Sequence, residues 1–273
     1  MPTADVNGID IFYEEHGSGP RVVMIGGLGA DTTLWSKQVP AFSERFRVVV
    51  FDNRGSGESD KPDEPYSIPM FAADTVGLMT ALGIERAHVV GASLGGLIAQ
   101  ELVLTHPEMV DRLVLVCTTS NGPRSVRPSL WSLIPILYKL RRTGDPAADT
   151  RRAFEVFAHP RWLEENPDEV DEYVVWRVDH SQPRYAFKRQ RGAIRGFDRE
   201  DRLGTITAPT LIVHGDSDRV VPSANAHLLG ELIPGSRVVI LEQAGHACTF
   251  DQRDGFNAAV LEFLAADSEG AGP

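Results

Sequence analysis

Cysteine is scarce: Cys117 and Cys248 are the two in a chain of 273 residues. Two are too few for a disulfide framework, and neither stands in a CxxC spacing, so two reduced, mostly buried thiols are expected. The eight histidines are scattered, with no HExxH and no paired-Cys cluster, so no metal is expected. No apolar run is long enough for a membrane span. The first residues carry Asp5, Asp10, Glu14 and Glu15 and lack the basic start and apolar stretch of a secretory signal. Positive charge is also short: 27 Lys and Arg against 38 Asp and Glu leave a net −11. That field repels phosphate backbones and anionic bilayers. The expectation is a soluble, cytoplasmic protein whose partner is a small molecule, with neither nucleic acid nor membrane as ligand. Nothing in the sequence speaks to oligomeric state.

What is present suits one large domain, or one domain with an inserted module. Short apolar runs rich in β-branched residues, at Arg21 to Ile25, Arg47 to Phe51, His88 to Val90 and Arg112 to Cys117, alternate with helical patterns. The rhythm resumes at Thr210 to His214 and Arg237 to Leu241. Such alternation predicts βα units on a mostly parallel sheet. Ahead of them, Ile9 to Glu14 alternates apolar and polar after Asn7-Gly8, which predicts an antiparallel hairpin. Apolar spacing of three and four predicts helices over Leu34 to Arg45, Pro69 to Leu82, Leu94 to His106, Ala224 to Leu232 and Asp254 to Ala265.

From about Asn121 to Gly204 no strand run is visible. Amphipathic stretches are broken there by Pro128, Pro146, Pro160, Pro167 and Pro183, so a helical insertion between two strands is expected. It holds 16 basic and 13 acidic residues, +3 against −14 for the remainder. Two readings stand: a cap that attracts an anionic substrate, or solvated arginines on surface helices.

The chemistry concentrates in His88-Val89-Val90-Gly91-Ala92-Ser93-Leu94-Gly95-Gly96, where a strand runs into GxSxG and then a helical pattern. A sharp strand-to-helix turn crowds the positions two before and two after its apex, and Gly91 and Gly95 relieve that crowding. Ser93 is then lifted above the sheet at the amino end of the next helix, where free N–H groups favour developing negative charge. A plain helix cap is the alternative role. A serine hydroxyl needs a base, and the base an orienting acid. The turn after Thr210 to His214 offers Asp216 and Asp218, and His246 follows the last strand. The Gly26-Gly27-Leu28-Gly29 run completes neither GxGxxG nor GxxxxGK[ST], so no nucleotide cofactor is expected.

The order Ser, Asp, His, with these flanks, resembles the α/β-hydrolase family from Arg21 to Cys117 and again from Pro209 to Leu264. The resemblance implies an α/β fold with a mostly parallel central sheet flanked by helices. Residues 1–120 and 205–273 would form the core and 121–204 an inserted helical cap. It selects Asp218, three residues beyond Gly215 and ahead of Val220-Val221-Pro222, as the acid, with Asp216 bonding backbone. Thr118 to Asn121, where some relatives carry the acid, has no carboxylate. Ala244-Gly245-His246 fits the family's AGH pattern, and His214 reads as a packed strand-end residue. The oxyanion donors would be the N–H groups of Leu28 and Leu94, although Gly26-Gly27 replaces the family's usual His-Gly. The turn Asp52 to Ser59 resembles DxRGxGxS and implies a structural brace. Trp35, Trp131 and Trp162 are candidate pocket residues, with a place in the core as the alternative for each. The implied activity is ester or lactone hydrolysis without a cofactor. Carbon–carbon hydrolysis of ring-fission diketones, perhydrolysis, and a non-catalytic receptor on the same fold are the alternatives.

Overall fold

The computed structural model describes residues 2–129, 134, 136, 138, 139 and 143–266. Strands β1 (Thr3–Val6) and β2 (Ile9–His16) form the expected hairpin. Its turn holds Asn7 and Gly8 at φ 53° and 78°, the left-handed pair that lets a two-residue loop follow strand twist. β2 continues antiparallel to β4 (Arg47–Phe51). The remaining pairings are parallel, among β3 (Arg21–Ile25), β4, β5 (Ala87–Ala92), β6 (Val110–Val116), β7 (Thr210–Gly215) and β8 (Arg237–Leu241). The order across the sheet is β1-β2-β4-β3-β5-β6-β7-β8. β5 and β7 are buried along their whole length, which explains why they read as apolar runs rather than alternations.

Two layers of helices cover the sheet. On one face, α2 (Ile68–Ala81) and α3 (Leu94–Thr105) supply Ile68, Phe71, Leu78, Leu97, Ile98 and Leu102 to the core. On the other, Phe42 of α1 (Val39–Ser43) packs with Phe256, Val260 and Leu264 near the carboxyl end. The single helix expected over 34–45 is a correction: a 3-10 turn, Thr32–Trp35, precedes a short α1. Pro40 is the cause, because it has no N–H to donate and its ring would strike the carbonyl four residues back, so it sits in the first turn of a new helix.

Between β6 and β7 the chain is helical, with no strand among the described residues: α4 (Pro146–Phe157), α5 (Pro160–Glu165), α6 (Pro167–Asp179) and α7 (Arg184–Ala193). Prolines occupy the first position of three of them, where a missing N–H costs nothing. Phe154, Ala158, Val170 and Val174 form a small core of their own, and it reaches Ala247 and Phe250 of the carboxyl-terminal region. The insert's basic excess is met by carboxylates of the core: Arg177 pairs with Asp31, Arg189 with Asp63, Arg199 with Glu101 and Arg124 with Glu231. That pattern favours solvated and paired arginines over an open anion-attracting face. No helix among the described residues is long and apolar enough to cross a membrane.

The turn after β4 ties these layers together. Arg54 grips Asp74 of α2 with two hydrogen bonds, Nε to Oδ2 at 2.5 Å and Nη2 to Oδ1 at 2.7 Å, and both side chains are buried, 5% and 3% exposed. Removing one partner strands a buried charge. Arg54→Leu is therefore expected to lower the unfolding free energy by about 3–5 kcal/mol. Combining it with Asp74→Leu should restore most of that loss. Denaturant titration of both variants checks this, and a double variant no better than the single would refute it.

Candidate active site

β5 ends in a turn that only this local sequence can make. Ser93 sits at φ 55° and ψ −112°, a sparsely allowed region for a residue with a side chain. A Cβ at Gly91 would stand 2.3 Å from the Gly95 carbonyl oxygen, and one at Gly95 would stand 2.1 Å from that of Ile25. Neither position admits a methyl group. The apex is held from both sides, Ser93 N donating to Val116 O at 2.8 Å and Thr118 Oγ1 donating to Ser93 O at 2.8 Å. The side chain therefore projects at the carboxyl edge of the sheet, directly before α3.

The neighbouring loops close around it. A Cβ at Gly215 would lie 2.3 Å from Gly245 O, so glycine there lets the loops after β7 and β8 touch. Asp216 N donates to Leu241 O at 3.0 Å, Ser217 N to Ala244 O at 2.9 Å and Ala244 N to Asp216 Oδ1 at 3.2 Å. Asp216 thus joins the two loops through the backbone. Asp218 faces the histidine: His246 Nδ1 lies 2.7 Å from its Oδ2, and His246 Nε2 lies 3.0 Å from Ser93 Oγ. Because a carboxylate only accepts, Nδ1 carries the proton and Nε2 is left to accept from the serine hydroxyl.

Asp218 Oδ1 accepts from the N–H groups of Val220 and Val221, at 2.8 and 2.9 Å. Burial pushes this carboxyl up, but the charge of His246 and the hydrogen bonds from His214 and His246 outweigh it and hold the group well below the usual carboxylate range. Cys117, His214 and Asp218 cluster here, with ligand-type atoms within 4.8 Å of one another. Hydrogen-bond donors already occupy the Asp218 oxygens, and burial pushes the Cys117 thiol up, away from the thiolate a metal requires. The second cysteine closes the group: Cys117 Sγ is 3.4 Å from Cys248 Sγ, and both are free.

The loop after β3 passes beside Ser93: a Cβ on Gly27 would be 3.4 Å from Ser93 Cβ and 4.0 Å from Oγ. The N–H groups of Leu28, in this loop, and Leu94, next to Ser93, have no hydrogen-bond acceptor among the described residues. The pocket residues fare differently. Trp35 is fully buried, in the core cluster that holds Val22, Met24, Phe42 and Phe256, the core alternative expected for it. Trp162 packs edge-on against Phe154, 5.9 Å between ring centroids, inside the cap. Trp131 lies outside the described residues.

Residues 20–252 match the family of the alpha/beta hydrolase fold. The chain belongs to that family. RutD of Caulobacter sp. (strain K31), by its name a candidate carbamate hydrolase, is 32% identical, over 98% of this chain and 100% of its own. The enol-lactonase from Burkholderia xenovorans LB400 superposes with a TM-score of 0.83 at 29% identity, covering 96% of this chain and 99% of its own. A variant of CumD, the meta-cleavage product hydrolase from Pseudomonas fluorescens IP01, superposes with a TM-score of 0.82 at 30% identity, covering 97% of each chain.

The loop after β3 is supported in a way the sequence did not disclose. Gly26 O accepts from Asn53 Nδ2 at 3.0 Å, and Gly29 N donates to Gln190 Oε1 at 2.9 Å. Gln190 is fully buried, and its amide nitrogen also donates to Arg54 O and Ser56 Oγ, each at 2.8 Å. A lone glutamine in the charged run of α7 carries no periodic signal, so its role appears only when cap and core meet. Asp52, pushed up to about 6 chiefly by burial, accepts from the N–H groups of Thr32 and Glu58 in the same brace. Asp251 was likewise missed; its Oδ2 accepts from Gly245 N and His159 N, both at 2.8 Å, and so joins the His246 loop to the cap.

Gln190→Leu leaves three buried polar groups without partners. The expected result is a loss of about 1–3 kcal/mol in stability, with faster amide hydrogen exchange at Gly29 than at the sheet amides. Unchanged exchange at Gly29 would show that the loop is held by other means.

Proposed function

We propose that this protein is a serine hydrolase acting on a small carbonyl compound, with Ser93 as nucleophile, His246 as general base and acid, and Asp218 as the orienting carboxylate. The observation that carries the reading is the continuous chain of contacts from Asp218 through His246 to Ser93, at 2.7 and 3.0 Å. In the proposed reaction His246 Nε2 takes the hydroxyl proton as Ser93 Oγ adds to the substrate carbonyl. The N–H groups of Leu28 and Leu94 hold the oxyanion, a contribution of about 3–4 kcal/mol per donor in sites of this kind. His246 then protonates the leaving group. Water, deprotonated by the same nitrogen, releases the acid from the acyl-serine. No step calls on a cofactor. The core, 1–120 and 205–273, would carry this machinery, and the insert, 121–204, would shape the entrance.

Two bond classes suit the machinery. Cleavage of a carbon–carbon bond in a ring-fission diketone is supported by the likeness to CumD, 30% identical over nearly the whole chain. Opening of an ester or lactone is supported by the enol-lactonase. Carbamates join the panel because of the RutD relatives. Both main classes need the same attack on a carbonyl carbon; they differ in whether carbon or oxygen leaves.

Ser93→Ala is expected to lower turnover by about 10⁴-fold or more and to abolish fluorophosphonate labelling, with the melting temperature retained. Asp218→Asn should cost about 10⁴-fold by stabilising the wrong imidazole tautomer. Wild-type kcat/KM for an aryl ester, a lactone, a carbamate and a vinylogous diketone then assigns the bond class. A wild-type protein that neither turns over any of the four nor reacts with the fluorophosphonate would leave the receptor reading in its place.

A further inference from the structure

The sequence treats His214 as packing, yet its ring occupies an unusual place. It is fully buried at the end of β7. Nε2 lies 2.8 Å from Val221 O and 3.1 Å from Asp218 Oδ2. Both neighbours are acceptors, so Nε2 carries the ring proton and shares it between them. Nδ1 has no hydrogen-bond partner. A phenylalanine would fill this space without burying an unmatched polar atom. What histidine adds here is one N–H directed at the acid.

That N–H meets the same oxygen that receives His246. Asp218 Oδ2 therefore serves two imidazoles, at 2.7 and 3.1 Å, while Oδ1 is held by two backbone N–H groups. Four donors fix the carboxylate against rotation. We propose that His214 is a positioning residue of the triad, whose Nε2–H locks the Asp218 carboxylate and withholds part of its charge from His246. This rests on the reading of Ser93, His246 and Asp218 as the catalytic residues.

The direction of the effect follows from charge. A carboxylate relieved of one donor is a stronger partner for a protonated imidazole. His246 would then keep its second proton to higher pH, and less of it would be available as base. The other titratable groups facing this cluster are Cys117 at the end of β6, Cys248 against it, and Asp251 behind the His246 loop. None of them donates to Asp218 Oδ2.

Two variants test the idea. His214→Phe keeps the ring volume and deletes the donor; His214→Gln places an amide N–H near the former Nε2. The Phe variant should lose about tenfold in kcat with KM unchanged, and the acid limb of its kcat/KM profile should move up by about half a pH unit to one unit. The Gln variant should recover most of both. Equal losses in the two variants, with the limb unmoved, would reduce His214 to packing. A measurement independent of folding and turnover uses ¹⁵N NMR of Ser93→Ala: the His214 ring should be protonated at Nε2, and a ring protonated at Nδ1 overturns the proposal. Failure of the catalytic reading shows separately, as wild-type protein that does not react with a fluorophosphonate.

Discussion

The backbone turn at Ser93 is the constraint on which the rest depends. A side-chain-bearing residue at positive φ costs about 1–3 kcal/mol, and the surrounding structure must hold it there. Here the means are visible: two glycines that let backbone approach backbone, one hydrogen bond from β6 and one from Thr118. Cys117 follows β6 at φ 45°, and Gln243 follows β8 at φ 55°. These three positive-φ residues therefore gather at the carboxyl edge of the sheet, the edge at which open α/β sheets place their ligands.

Rigidity at that edge is cooperative. The acid loop and the histidine loop are bonded to each other through Asp216, Ser217 and Ala244, and the histidine loop is bonded to the cap through Asp251. The loop after β3 is held by Asn53 from the core and Gln190 from the cap. The cap thus does more than cover the sheet. Two of its contacts end on the loops that flank Ser93, so an altered cap changes the geometry of the site as well as the room above it. The carboxylate of Asp218 lies at the centre of this arrangement, with a donor in every direction its oxygens face.

Much of this was legible in the chain. Parallel strands read as short apolar runs, so β3, β4 and β8 match their expected limits and β5, β6 and β7 differ by one or two residues at an end. The GxSxG turn was legible because backbone crowding permits so few residues beside Ser93. The helix expected over 34–45 was misread because apolar periodicity is indifferent to the hydrogen bond that Pro40 cannot make.

The sequence by itself determined the succession of strands and helices along the chain and the GxSxG turn, because each of these is enforced by local sterics and hydrophobic pattern. Tertiary structure alone decided which groups surround them. Gln190 meets Gly29 across 161 positions, and Asp251 binds His159 across 92. His214 meets Asp218 only because the chain turns back after β7. A polar side chain has no periodicity that names its partner, so its role is set when distant segments exclude water from the same few cubic ångströms.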